Sequence, residues 1–456
     1  MEIASRELDS RLLLSVLALE RGYDVVLGQK WLMERNIRYM PPGVYVSKTL
    51  TKRDGQFMSV AKKQGYCVVS IDEEMPGLIA ENDALRWISP DALSLADLVF
   101  LNGVPNRDAV VERFPETGQR VKAAGNPRWD MLRPELRDYY RQEADDIRRR
   151  HGRFVLINTN LGWTNSEKGP ADVMIADQLR LGKLNLQDPK DKSFVDDVLA
   201  MEAANKAAMI TTIASLAQRY PQIGFILRPH PSERLDSWEK SLSQIPNAKV
   251  IRDGAAAAWI MAAEVLLHTN CTTGVEAIAL NKPALCLLTS ETPLTARYLA
   301  NRVNPVVRTA EEAVEALDLF LSGAGNIRYT EEMHKEFARS MSSEPHKLGA
   351  RVILDYIDEW QGRHGMAAAA RGKAWLPKVG YRWLQRDKSV RGILLPDLSA
   401  TTVAAKIGEI ARELGISIPL NVLRVGSKVV LLSQQPASRR MRFAAASRAA
   451  LARVWA

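Results

Sequence analysis

The sequence predicts an α/β protein built from two lobes, each on a parallel β-sheet. Three observations carry that expectation. Short apolar runs recur along the chain, and most are separated by stretches with helical apolar spacing. The runs are near-continuous rather than alternating, as strands covered on both faces are. The alternation also starts afresh near Phe154, so two Rossmann-like lobes in series, with a cleft between them, are expected.

In the first lobe, Leu8, Leu12, Leu13, Val16, Leu17 and Leu19 have helical spacing, and Gly22 ends that helix. Asp24 to Gly28 follows as a strand. Val44–Val46 reads as a short strand, Gln56–Gln64 as a helix and Cys67–Ile71 as a buried strand. Ala96–Leu101 and Arg120–Ala123 continue the series. Arg133–Arg150 is a polar helix that carries the chain onward. The second lobe opens with the strand Phe154–Ile157 and a long helix over Asp196–Arg219. Ile223–Leu227, Lys249–Ile251, Val265–Leu267, Ala284–Leu288 and Pro305–Val307 read as its other strands. Thr309–Leu321 and Thr330–Trp360 are closing helices. The expected division is residues 1–150, 151–328, a closing segment 329–360 and an extension 361–456.

A chain of 456 residues is too long for one ordinary core, which agrees with two domains. The charge is uneven. From Gln361 on there are 17 Lys or Arg against 4 Asp or Glu, a net of +13, so the remainder carries about −4 of the total +9. The basicity therefore belongs to the extension. That asymmetry suggests a polyanionic neighbour such as an anionic membrane surface; a solvated basic face explains it equally well. Trp375, Tyr381 and Trp383 lie among its basic residues, which suits either a headgroup region or a small domain packed on the body. Composition favours the packed domain, with Ser399 as the N-cap of a helix through Leu414. No apolar run reaches membrane-spanning length, the N-terminus lacks signal-peptide regions, and Cys67, Cys271 and Cys286 have no metal or disulfide spacing. The expected setting is cytoplasmic, with peripheral contact at the inner face of the membrane.

Two motifs carry the chemistry. Arg228-Pro229-His230-Pro231 follows one strand, and Thr269-Asn270-Cys271-Thr272-Thr273-Gly274-Val275-Glu276 follows another. An Arg fork matches phosphate oxygens, and His donates a hydrogen bond to one. The flanking prolines fix the strand exit. The threonine hydroxyls, the close approach allowed at Gly274 and a helix start there suit an anion. Glu276, in the first helical turn, suits ribose hydroxyls or simply the helix dipole. Asn158 and Asn160, after the first strand of the second lobe, are polar groups at a strand end. Trp163 offers a ring for stacking or packing, and His268 reads as a core histidine.

Arg-Pro-His-Pro, a Thr-rich turn with Glu-Ala and the following Lys282-Pro283 resemble the donor-binding domain of GT-B glycosyltransferases. The nearest groups are the polysialyltransferase-like, Kdo-transferase-like and CDP-glycerol glycerophosphotransferase enzymes of bacterial surface polysaccharides. Gly125-Asn126-Pro127-Arg128-Trp129-Asp130 is similar to a motif of the same neighbourhood. So are the stretch from Arg6 to Leu14, Arg21-Gly22-Tyr23 and Asp72-Glu73-Glu74. The resemblance covers residues 5–360. These families usually begin with a β-strand, for which this chain has little room. The resemblance implies a GT-B fold and transfer of a sugar from a nucleotide donor, a CMP-linked acidic sugar such as Kdo favoured, to a lipid-linked or oligosaccharide acceptor. It implies no metal, no separate cofactor and no nucleic-acid partner. Arg228, His230, Thr269, Asn270, Thr272, Thr273, Gly274, Glu276, Asn158 and Asn160 would hold the donor nucleotide.

Glycosyl transfer also needs a proton acceptor for the incoming hydroxyl. Glu73 and Glu74 follow the strand Cys67–Ile71 and are the first candidates; Asp9 is another and Asp130 a weaker one. Three alternatives stay open: a UDP-GlcNAc 2-epimerase-like isomerase, a CDP-glycerol glycerophosphotransferase-like enzyme, and a catalytically silent subunit of an assembly complex.

Overall fold

A computed structural model describes residues 1–2, 4–73, 85, 88–180, 184–292, 294–341, 344, 346–364 and 397–435. The chain forms two compact units. The first runs to Tyr139 and resumes at Arg339; the second covers Tyr140–Ala338.

In the first unit, strands β1 (Val25–Gly28), β2 (Val44–Ser47), β3 (Cys67–Ile71), β4 (Leu98–Leu101) and β5 (Val121–Ala123) follow the opening helix Ala4–Glu20. β2 to β5 form a four-stranded parallel sheet in sequence order. Every residue of β3 and β4 is buried, which is why these segments read as unbroken apolar runs. The 3₁₀ turn and helices beside them bury Ile37, Met58, Ala61 and Val110 against the sheet.

The second unit carries β6 (Phe154–Asn158), β7 (Gly224–Arg228), β8 (Ala248–Val250), β9 (Val265–His268), β10 (Ala284–Leu287) and β11 (Val306–Val307). They form one parallel sheet in the order β11-β10-β9-β6-β7-β8. The sequence therefore winds outward from β6 on one side and from β9 on the other. The point where the order reverses lies at β6, between β7 and β9. The long helix is Pro189–Arg219, and its Met209, Ile213 and Leu216 enter the core with Phe225, Trp238 and Leu317.

The α/β class with two parallel-sheet lobes is thus present. The basic extension differs from a free-standing segment. Residues 397–435 belong to the first unit. The helix Ala400–Glu413 has Ser399 as its N-cap, as the sequence suggests. β12 (Asn421–Gly426) and β13 (Val429–Ser433) then form a hairpin, and β13 pairs antiparallel with β1. β1 therefore sits outside the parallel sheet, in a three-stranded sheet completed from the far end of the chain. Residues 365–396 and 436–456, with Trp375, Tyr381 and Trp383, lie outside the described residues.

The Thr330–Trp360 region is two helices, Glu331–Met341 and Gly349–His364. The break has a local cause. Asp130 accepts the backbone N–H groups of Gly349 and Ala350, each at 2.8 Å, and so caps the second helix. Asn126 caps the short helix Pro127–Asp130 through the Arg128 N–H and ties it to the Asp72 carbonyl. The Gly-Asn-Pro-Arg-Trp-Asp stretch is therefore a set of caps within the first unit.

Candidate functional site

The strand register brings the two motifs together. β6 lies between β7 and β9, and Asn158 is level with Arg228 on one side and His268 on the other. The residues that leave the sheet next are Thr159 and Asn160, Pro229 and His230, and Thr269 and Asn270. All lie at the carboxyl edge of the sheet where its winding reverses. In open α/β sheets that is where backbone groups from adjacent loops are free to meet a ligand.

Arg228 is half-buried. Its Nη2 donates to the carbonyls of Asp253 (2.6 Å) and Gly254 (3.1 Å), and its guanidinium lies 5.3 Å from the Trp259 ring centre. These are neutral partners, so the guanidinium is held in place with its charge intact. Nε has no hydrogen-bond partner among the described residues. Burial pushes this arginine down to about 10, against the opposing pull of Asp253, Glu276 and Glu143. A half-buried guanidinium bonded to neutral carbonyls keeps a positive charge that can attract an anion.

His230 is half-buried. The Ser232 backbone N–H donates to its Nδ1 at 3.2 Å, and Ser232 Oγ lies 2.7 Å from the same nitrogen. With Nδ1 an acceptor, the neutral ring carries its proton on Nε2.

The threonine turn is more closed than its sequence suggests. Thr269 is fully buried, its N–H bonds the Asn158 carbonyl at 3.2 Å, and its Oγ1 has no partner among the described residues. Asn270 sits at φ 48°, a left-handed conformation that asparagine tolerates. It is held by Asn301 through Oδ1 (2.6 Å) and by Asn160 through its carbonyl (3.0 Å). Thr273 Oγ1 contacts Cys271 Sγ at 3.1 Å, and Thr272 begins the helix Thr273–Ala279. The N–H groups of Gly274, Val275 and Glu276 close back on the carbonyls of Cys271 and Thr272. The helix start is therefore a self-satisfied turn, unlike the open set of donors expected there. A Cβ on Gly274 would stand 2.4 Å from His268 Nε2, so only glycine lets this turn approach the strand end. Glu276 is buried.

His268 is in the core, as its sequence context suggests. Burial pushes it down to about 3, and among the described residues neither ring nitrogen has a partner. Asn158 Oδ1 is a further buried acceptor without a partner among the described residues. Buried polar atoms are nearly always paired, so a cluster of exceptions at one sheet edge marks a place for water or ligand atoms.

Three supporting groups were not among the expected site residues. Glu233, two residues past Pro231, is fully buried and accepts from four neutral donors. Arg252, two residues past β8, donates to the carbonyls of Pro231 and Glu233. A strand-exit arginine is the only hint the sequence offered for it. Glu202, on the long helix, accepts from the Trp163 N–H (3.1 Å), the Thr164 N–H (2.8 Å) and the Thr164 hydroxyl (2.9 Å). It thereby anchors the loop after β6, where half-buried Trp163 meets Phe194 edge-on at 5.9 Å.

Glu202 has a measurable consequence. Burial pushes it up from 4.5 to about 7. Between those values the folded protein keeps a proton that the unfolded chain has lost. This group therefore lowers stability as pH rises through that window, by on the order of 3 kcal/mol, and adds nothing further above it. Denaturation of the wild type and Glu202→Gln across the window should show the wild type losing stability relative to the variant as pH rises. A difference independent of pH would contradict this titration.

The expected proton acceptors lie in the first unit. Glu73 is buried, and Arg11 pairs with it at 2.9 Å. Asp9 accepts from the Tyr139 hydroxyl (2.8 Å) and the Lys406 ammonium (3.0 Å). Arg11 and Asp9 are two residues apart on one helix and so face nearly opposite ways, which separates Glu73 from Asp9. Glu74 lies outside the described residues. Asp130 is occupied as a helix cap.

No protein-family model matches this chain, and no curated protein does. Among solved structures, the UDP-GlcNAc 2-epimerase of Methanocaldococcus jannaschii is similar at 14% identity and a TM-score of 0.44, over 72% of this chain and 80% of that one. The Neisseria meningitidis UDP-GlcNAc 2-epimerase, bound to UDP-GlcNAc, is similar at 15% and 0.42, over 69% and 76%. The wall teichoic acid polymerase TagF is similar at 13% and 0.44, over 70% and 73%. At scores and identities this low, the functional reading rests on the chain's own side chains.

Proposed function

We propose that this protein is a glycosyltransferase of the GT-B kind, holding a nucleotide-linked sugar donor at the carboxyl edge of the second sheet. The observation that supports this reading is the convergence of three strand exits on one polar row. Arg228 supplies a positive charge held by neutral carbonyls, His230 a neutral Nε2–H, and Asn158 and Thr269 buried oxygens without partners among the described residues. Such a row suits a ligand with both an anionic and a hydroxyl-bearing part.

In the transfer, the bond from the sugar's anomeric carbon to the phosphate oxygen breaks, and that oxygen gains negative charge. Arg228 and His230 stabilise it more strongly than they do the bound ground state, which is what lowers the barrier. The acceptor hydroxyl forms the new bond and passes its proton to a base. Glu73, Glu74 and Asp9 are the proposed bases; Glu73 would first have to leave Arg11. A CMP-linked acidic sugar such as Kdo is the favoured donor, and a lipid-linked or oligosaccharide surface glycan the proposed acceptor. Peripheral contact with an anionic membrane belongs to the same proposal.

The test is incubation of the full chain with CMP-, CDP-, UDP- and GDP-linked sugars, with and without glycan acceptors, following nucleotide release. Acceptor-stimulated release from one donor class is the expected result. Isomerisation of UDP-GlcNAc without an acceptor would instead make the protein an epimerase. Binding without turnover would make it a silent subunit.

A further inference from the structure

We propose that Glu233 and Arg252 are positioning residues for His230, setting its imidazole so that a neutral Nε2–H is presented to the donor's phosphate. The inference rests on the donor-site reading above and concerns how that grip is built.

Proline has no backbone N–H, so Pro229-His230-Pro231 has a single main-chain donor, that of His230. It goes to Glu233 Oε1 at 3.0 Å. The same oxygen accepts the Thr159 hydroxyl at 2.9 Å, from the exit of the neighbouring strand. Oε2 accepts Trp238 Nε1 at 2.9 Å and Asn165 Nδ2 at 3.4 Å. One fully buried carboxylate thus joins the loops leaving β6 and β7. A buried carboxylate held by neutral donors is costly, and an apolar contact would close two loops at less cost. What a carboxylate adds is direction, because it accepts from four donors at fixed angles.

The carbonyl side of the loop is fixed by the opposite charge. Arg252 Nη1 donates to the carbonyls of Glu233 (2.8 Å), Pro231 (3.0 Å) and His230 (3.4 Å). Its Nη2 pairs with Glu167, whose own N–H donates to the Ser232 carbonyl at 2.8 Å. With both sides held, the Ser232 N–H reaches His230 Nδ1. That contact selects the Nε2–H form of the ring. If the loop relaxes, the contact opens and the ring reverts to a mixture of its two neutral forms.

The experiment is ring-nitrogen NMR of histidine-labelled full-length protein, with the His230 signal assigned by its loss in His230→Asn. Nucleotide affinity is measured on the same samples. In the wild type, His230 should show a bare Nδ1 and a protonated Nε2. In Glu233→Gln and Arg252→Gln, that pattern should give way to mixed forms, and nucleotide affinity should fall roughly ten- to hundredfold. An unchanged His230 pattern in both variants would overturn the proposal while leaving wild-type nucleotide binding, and so the donor site, intact. A wild type that binds no nucleotide would overturn the donor-site reading, and the ring pattern in the free proteins would still decide the positioning claim. If Glu233→Gln does not fold, Arg252→Gln carries the test, because it leaves the buried carboxylate and its four donors in place.

Discussion

Cutting the chain before Asp397 abolishes folding of the first unit. β13 is the middle strand of the three-stranded sheet, so its loss leaves β1 without a partner and removes β12 with it. Val425, Val429 and Leu431 pack with Leu32, and Val26 and Met33 lie against the same cluster. Val403, Ile407 and Ile410 of the Ala400–Glu413 helix are also buried, as are Val430 and Leu432. Each such side chain contributes about 1.5–3 kcal/mol when buried. Eight of them sum to about 12–24 kcal/mol, which matches or exceeds the whole stability of an ordinary domain, about 5–15 kcal/mol. Val430→Asp should act in the same direction with the full chain present, because it puts a charge into a fully buried position of the central strand. Circular dichroism melts of the truncated and substituted chains check this. A truncated chain that melts like the wild type would show that 397–435 is an accessory segment.

Arg228→Ala weakens nucleotide binding by roughly 10- to 150-fold, the loss of about 1.5–3 kcal/mol of charge-assisted hydrogen bonding. Two features of the site put the effect there. The guanidinium is anchored by the carbonyls of Asp253 and Gly254, so its charge is available to a ligand. Burial also disfavours the charged form, so a bound anion relieves a cost already present in the free protein. Arg228→Lys keeps a charge but not the fork, and should recover only part of the affinity. Titration of the full chain with each nucleotide at fixed ionic strength measures both variants. Wild-type affinity in Arg228→Ala would reduce this arginine to a structural tie between β7 and the Asp253 loop.

The strands were legible because strands of a covered parallel sheet have no polar face. Cys67–Ile71 is the same in sequence and structure, and every one of its residues is buried. The polar residues at the carboxyl edge of the second sheet were legible for a related reason: a Pro-bounded Arg and His, and a run of threonines, stand where apolar runs stop. Pairing across most of the chain leaves no such trace. Val429–Ser433 is an apolar run, but nothing in its composition says that it meets Val25–Gly28. The groups that hold the site also escaped. Glu202 acts on backbone N–H groups of a loop far from it in sequence, and Arg252 on carbonyls. Contacts to main-chain atoms impose no partner residue type and no spacing. Asp130 shows the converse: a carboxylate in a motif that resembled a site is occupied by two helix N–H groups.

The exits of β6, β7 and β9 are proposed to form one nucleotide site. Hydrogen exchange of the full chain, with and without CMP, CDP, UDP or GDP, tests it most directly. Slower exchange on nucleotide addition should appear in residues 158–165, 228–234 and 269–276 together, with at least one of the four nucleotides. Protection that avoids these three segments, or none with any of the four, would contradict it.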